Sequence, residues 1–290
     1  MLSYTYPVLD EAENAAASES IASTWQILRK LTLADFLAMP DSLDRNRYPA
    51  LATITPTMPP PETQARWTGH SGYPLLCKTS GTLRLLQIQS FALRGRDLGA
   101  GPILDYGCGW GRLMRGLGYF VHPDQIHGAD PMEDSLVACR QHKVIGNIHK
   151  VGTTSQSDPL PVRDVDTAFS YSVMTHTSRE STRAILAAVR SVIADDGIYA
   201  TTIRPVEFWT MRAQALGEDK VADLVASHQS HGYAFFPIGG GTELHEQDYG
   251  DVSFSLEVFG ELAADTGWRV ARLDRDTLEP WQLTIVLLPA

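Results

Sequence analysis

The sequence predicts an α/β domain built on a doubly wound, mostly parallel sheet, and three observations predict it. From Ile103 onward, short apolar runs alternate with amphipathic stretches of helical period, the pattern of parallel strands joined by crossover helices. A turn with three alternating glycines, Asp105-Tyr106-Gly107-Cys108-Gly109-Trp110-Gly111, follows the first run. A second acid, Asp130, closes the next run, about twenty residues after the last glycine, where a ribose-binding carboxylate is expected.

The elements follow in order. Residues 1–62 read as a helical extension ending in a proline-rich linker, and 63–290 as the main domain, with an insertion at about 205–253. Within the extension, Ala15 to Ala38 carries Ile21, Trp25, Ile27, Leu28, Leu31, Leu33, Phe36 and Leu37 at near-helical spacing, and Pro40-Asp41 should end that helix. Such a helix caps the active site, pairs with a second subunit as a homodimer contact, or packs on the domain's own surface. Thr55-Pro56-Thr57-Met58-Pro59-Pro60-Pro61 is a stiff connector. Tyr73 to Arg94 reads as a further helix, and Leu113 to Phe120 as the helix leaving the glycine turn. Strands are expected at 125–130, 148–151, 165–173 and 198–203, with helices over 135–141 and 181–194. Gly197, after Asp195-Asp196, stands where a glycine would cap the helix over 181–194.

Composition narrows the class. The 290 residues are 43% hydrophobic and 20% charged, globular values, and no apolar run approaches the length of a membrane span. A net charge of −10 with scattered arginines weighs against nucleic acid as a partner. Cys77, Cys108 and Cys139 are odd in number and have no metal or redox spacing, so they read as free thiols of a reducing cytoplasm.

The glycine turn makes a floor for a nucleotide-like ligand, because glycine tolerates φ > 0 and lets a ligand approach the backbone. A dinucleotide fingerprint requires a third glycine where Arg112 stands, which argues against a nicotinamide-dependent oxidoreductase. D-x-G-x-G-x-G with Asp130 behind it instead resembles the class I S-adenosylmethionine-dependent methyltransferases, of the kind acting on small molecules. Phe169-Ser170-Tyr171-Ser172-Val173-Met174-Thr175-His176 resembles the end of that family's fourth strand. Gly267-Trp268-Arg269-Val270 and Trp281 to Leu288 resemble its last two strands. The resemblance covers roughly 101–290. It implies a Rossmann-like sheet of seven strands with the last antiparallel, and S-adenosylmethionine as cofactor.

The cofactor residues so implied are Asp105, Gly107, Cys108, Gly109, Gly111, Asp130, Pro131, Met132, Thr153, Thr154 and Ser172. Asp130 takes the ribose hydroxyls and Met132 the adenine face. A sulfonium methyl is already activated, so the protein has to align a nucleophile and, for a hydroxyl, remove its proton. His176 is the candidate base. Arg204, Trp209, His231, Tyr233 and His245 are the candidate substrate residues, the insertion around Gly239-Gly240-Gly241 reading as a lid. His228, His231, His245 and Asp248 lack a convincing metal spacing, so no metal is expected. The expected activity is O-methylation of a small polar metabolite, a sugar or natural-product scaffold. N-methylation of a small molecule or peptide and a non-catalytic cofactor-binding module are the alternatives.

Overall fold

The computed structural model describes residues 1–152, 159–238, 245–275 and 279–290. Its strands are β1 (Ile103–Tyr106), β2 (Ile126–Asp130), β3 (Asn147–Lys150), β4 (Val165–Ser170), β5 (Ile193–Ile203), β6 (Tyr233–Pro237), β7 (Gly250–Phe254), β8 (Trp268–Arg275) and β9 (Leu283–Pro289). Seven of them form one sheet in the order β3-β2-β1-β4-β5-β9-β8, while β6 and β7 pair separately. The β1–β2 and β4–β5 pairs are parallel, and β9 runs antiparallel to both of its neighbours. This is the seven-stranded Rossmann-like sheet with an antiparallel last strand. The chain divides into two compact units, Met1–His149 and Lys150–Ala290.

In the first unit, the single N-terminal helix expected over 15–38 is instead three: Tyr6–Ala17, Ile21–Leu28 and Leu33–Ser42. Two local signals cut it. The Ser18 hydroxyl bonds back to Asn14 O and Ala15 O, and Glu19 takes a left-handed φ of 58°, a conformation few non-glycine residues adopt. Thr32 then starts a new helix, its Oγ1 accepting from the Asp35 N–H at 3.2 Å. Pro40 does not end the third helix. It sits in its last turns, and the helix runs on to Ser42.

The extension packs on its own unit. Trp25 and Phe36 lie 6.2 Å apart, and Phe36 meets the Tyr119 ring edge-on at 5.5 Å. The Arg29 Nε–H donates to Gly118 O at 3.0 Å. A Cβ on Gly118 would come within 3.3 Å of Trp25 and 3.4 Å of Phe36. Leu9, Ala12, Trp25, Leu28, Leu33, Phe36 and Met39 are all buried. Trp25→Ala is therefore expected to cost about 3–5 kcal/mol in urea unfolding, with one cooperative transition. A detachable cap would give a small loss or a separate early transition.

The helix leaving the glycine turn is only Met114–Leu117, shorter than the expected 113–120. Gly116 and Gly118 weaken it, and Gly116 has no room for a side chain between Leu83 and Leu37. Gly72–Arg94 forms as a long helix, closed by Gly95 at φ 67°.

In the second unit, the helix expected over 181–194 spans Arg179–Arg190, its start capped by Ser178 Oγ, which accepts from the Ser181 N–H. Gly197 is not its cap. It lies inside β5, where the register with β4 shifts between Val165 and Thr167. A Cβ there would meet Val165 O at 2.9 Å, so the glycine serves a close backbone approach at a bulge. The insertion is a folded body rather than a loop. Helix Glu218–His231 packs on a core of Phe208, Trp209, Val221, Leu224 and Ala234, and β6 pairs antiparallel with β7. The expected hinge at Gly239-Gly240-Gly241 lies outside the described residues.

Among the described residues, no helix is long and apolar enough to cross a membrane.

Candidate functional site

In the first unit, the site is built by the turn after β1. Gly107, Gly109 and Gly111 take φ values of 78°, 55° and 76°, which only glycine adopts without strain. The N–H groups of Gly107 and Cys108 donate to Ala129 O at 2.7 and 3.1 Å, tying the turn to the end of β2. Asp130 locks it. Its Oδ2 accepts from the Gly109 N–H at 2.8 Å and its Oδ1 from the Met132 N–H at 2.9 Å. The carboxylate therefore joins the glycine turn to the segment after β2, which also holds Pro131, and it is buried.

The glycines differ in purpose. At Gly111 a Cβ would lie 2.6 Å from Val144 Cγ1, a packing demand. At Gly109 a Cβ would only touch Trp67 ring carbons, at 3.9 Å, so the glycine there answers to its left-handed φ rather than to crowding. Trp67, carried on helix Pro61–Thr68, is 40% exposed beside it. Cys108 faces inward. Its N–H is spent on Ala129 O, and contact with the Cys139 thiol together with burial raises its pKa well above the ordinary thiol value.

Asp105 is buried at the end of β1, and burial pushes its pKa up to about 8; Arg112 lowers it, and the neighbouring Asp130 raises it. Two acids in one apolar place favour a positively charged ligand. The residues present thus fit S-adenosylmethionine: a left-handed glycine turn at Gly107, Gly109 and Gly111, an oriented carboxylate at Asp130, and an acid at Asp105 that a nearby cation would ionise.

The sign of the resulting pH dependence is set. Between about pH 4 and 8 the folded chain keeps the Asp105 proton that the unfolded chain releases, so the ligand-free protein loses stability as pH rises through that window. Asp105→Asn is expected to flatten that part of the stability–pH curve. The affinity of wild type for S-adenosylmethionine should strengthen up to about tenfold per pH unit from 6 to 8. A pH-independent affinity would remove Asp105 from the cation site.

In the second unit, a buried polar cluster follows β4 and β5. The segment 175–177 is bonded to β7: Val252 N–H donates to Thr175 O at 3.1 Å and Gly250 N–H to His176 O at 2.9 Å. His176 Nδ1 lies 2.9 Å from Gly250 O; a carbonyl only accepts, so Nδ1 carries the proton. Nε2 then accepts from Arg204 Nη2 at 3.0 Å. Burial and the Arg204 guanidinium push the His176 pKa down to about 4, so the ring is neutral at physiological pH. Tyr249 stacks on it at 5.4 Å.

Arg204 is buried, donating from Nη1 to Thr175 O at 2.8 Å and to Asp251 Oδ1 at 2.7 Å, and lying 4.0 Å over the Phe208 ring. Asp251 Oδ2 faces Arg212 Nε at 2.9 Å. Ser172 holds a left-handed φ of 59°, its N–H donating to Thr202 Oγ1 and its Oγ accepting from Gln282 Nε2 at 2.6 Å. Strain held by surrounding bonds is a mark of functional turns.

The remaining sequence-derived residues scatter. Trp209 is fully buried in the insertion core with Nε1–H donating to Ser253 Oγ at 2.7 Å, and offers no face to a substrate. The exposed His231 contacts Ser227 O at 3.1 Å within its own helix. The Tyr233 hydroxyl accepts from the Arg179 N–H at 3.2 Å, while His245 is exposed, its carbonyl accepting from Asp248 and Tyr249. Thr153 and Thr154 lie outside the described residues. Sequence reasoning missed Asp251 and Arg212. The available signal was Asp251 itself, an acid within the strand-like run Gly250-Asp251-Val252-Ser253-Phe254. Among the described residues, no group of three or more His, Cys, Asp or Glu side chains is placed to hold a metal ion.

Comparisons with known proteins agree with this geometry. Residues 103–197 match the family model of the methyltransferase domain. No curated protein matches the sequence. In fold the chain is similar to magnesium protoporphyrin IX methyltransferase of Synechocystis PCC 6803, solved with bound S-adenosylhomocysteine. The TM-score is 0.51 at 15% identity, covering 79% of this chain and 95% of that one. It is also similar to an S-adenosylmethionine-dependent methyltransferase of Clostridium acetobutylicum, with a TM-score of 0.51 at 11% identity over 79% and 97% of the two chains. The matched segment runs from β1 to Gly197, and the two solved structures share the fold.

Proposed function

We infer that the chain is a class I S-adenosylmethionine-dependent methyltransferase whose acceptor is a small polar metabolite, methylated at oxygen, with sugars and natural-product scaffolds as the first classes to test. The observation that carries this reading is the His176–Arg204–Asp251 cluster, in which the segment after β4 and the residue after β5 are bonded to β7, beyond the strand ends where open parallel sheets take ligands. When bound, the cofactor supplies a methyl group on a positively charged sulfur. The chain's task is then to align the acceptor oxygen, exclude water and manage one proton. Asp105, Gly107, Gly109, Asp130 and Met132 hold the cofactor, with Trp67 as an aromatic wall beside Gly109. Ser172 and its bonded partner Gln282 shape the turn after β4. His176 takes the acceptor proton only after Arg204 leaves Nε2, since that bond and the low basicity both oppose it.

That low basicity favours a second reading, in which the acceptor atom is nucleophilic without a base, as a carboxylate or an amine is. Methyl transfer from radiolabelled S-adenosylmethionine to matched hydroxyl, carboxyl and amine acceptors tests both. An O-methyl product from hydroxyl acceptors supports the first, product from carboxyl or amine acceptors alone the second, and cofactor binding without transfer to any of them overturns both. The location we infer is the cytoplasm, on the three free cysteines. A homodimer through the N-terminal extension would use Leu2, Tyr4 and Ile21, which are exposed, whereas Leu9, Trp25, Leu28 and Phe36 are buried.

A further inference from the structure

Among the described residues, the cluster around Asp251 holds one cation more than it holds anions. Arg204 and Arg212 both face this carboxylate, at 2.7 Å and 2.9 Å, and His176 beside it is neutral. Arg204 with Asp251 is already a complete ion pair, with further bonds to Thr175 O and His176 Nε2. Arg212 adds repulsion instead: its charge opposes both the Arg204 charge and protonation of His176. A second guanidinium on a carboxylate that is only 5% exposed has no structural need to be there.

The two arginines also differ in placement. Arg204 has an 11% exposed side chain and is bonded at both terminal nitrogens, whereas the Arg212 side chain is 30% exposed. It turns only Nε toward Asp251, and its terminal nitrogens have no partner among the described residues. Its backbone is held between two short helices, the Arg212 N–H donating to Trp209 O at 2.9 Å.

We propose that Arg212 is a specificity residue that binds a single carboxylate on the methyl acceptor, with Arg204, Asp251 and His176 as the positioning residues that hold it. A planar fork with two open nitrogens matches a carboxylate, and the surplus of one positive charge matches one negative charge rather than a dianion. The proposal rests on the reading that the His176 cluster faces the acceptor, and it names the acceptor's class.

The test uses the full chain saturated with S-adenosylhomocysteine, titrated by calorimetry with benzoate, with benzamide as the uncharged counterpart, and with inorganic phosphate, all at constant ionic strength. Wild type should bind benzoate at least about tenfold more tightly than benzamide, as expected for a charge-assisted fork. Arg212→Gln should abolish that preference, and Arg212→Lys should keep part of it. Unaltered thermal unfolding and cofactor affinity of Arg212→Gln exclude misfolding. Equal binding of acid and amide, no binding of either, a preference surviving Arg212→Gln, or tighter binding of phosphate than of benzoate would overturn the proposal. Loss of S-adenosylhomocysteine binding by wild type would instead overturn the methyltransferase reading beneath it.

Discussion

Asp130→Ala is expected to weaken binding of both S-adenosylmethionine and S-adenosylhomocysteine by at least about a hundredfold. The carboxylate accepts from the Gly109 and Met132 N–H groups, so it shapes the turn as well as standing where the proposed ribose would be received. In the proposed complex two ribose hydroxyls donate to it; each hydrogen bond to a charged group contributes about 1.5–3 kcal/mol, and losing two of them exceeds the roughly 2.7 kcal/mol that corresponds to a hundredfold. Asp130→Asn retains one acceptor oxygen and must turn its amide nitrogen toward one of the two N–H donors, so it should fall between alanine and wild type. Calorimetry with both ligands also separates Asp130 from Asp105. Asp130→Ala should penalise the two equally, since both carry the ribose. Asp105→Asn should penalise the sulfonium ligand more. Unchanged affinity of Asp130→Ala would remove this residue from the ribose site.

Asp251→Ala is expected to cost about 3–5 kcal/mol of unfolding free energy, because it strands the buried Arg204 and removes the counter-ion of Arg212. Asp251→Asn, which can still accept from Arg204, should recover part of it. The surface pair Lys30–Glu11 is the control. Both of its side chains are more than half exposed, so Glu11→Ala should change stability by less than about 1 kcal/mol. Urea unfolding of the three variants decides. A loss for Asp251→Ala no larger than that for Glu11→Ala would mean that the cluster is solvated and holds nothing in place.

The two predictions divide what could be read from the chain. Asp130 and the glycine turn were legible because their demands are local: φ > 0 at three alternating positions, and an acid at the end of a short apolar run. The strands of the sheet were legible for the same reason, their apolar runs being continuous where both faces are covered. Asp251 and Arg212 were not. They lie far apart in sequence, and nothing in the residues around Arg212 announces that its Nε will meet a carboxylate in β7. Gly197 shows the same limit from the other side. A glycine after Asp195-Asp196 carries the local signature of a helix cap, yet the helix stops at Arg190 and the glycine serves a bulge against β4. The N-terminal periodicity was legible as helix, but the cuts at Ser18-Glu19 and Thr32 came from side chains bonding to nearby backbone, which apolar spacing does not report.

By itself, then, the sequence determined the class of fold, the left-handed glycine turn and the two acids beside it, because backbone sterics and residue period act over a few neighbours. Only the tertiary structure decided where the N-terminal helices spend their apolar faces. It alone set Trp67 beside Gly109, moved Trp209 from the substrate wall into a core, and tied the His176 lone pair to Arg204. Those outcomes depend on burial and on the meeting of distant segments, where a charge is costly unless a partner is supplied and the partner comes from elsewhere in the chain.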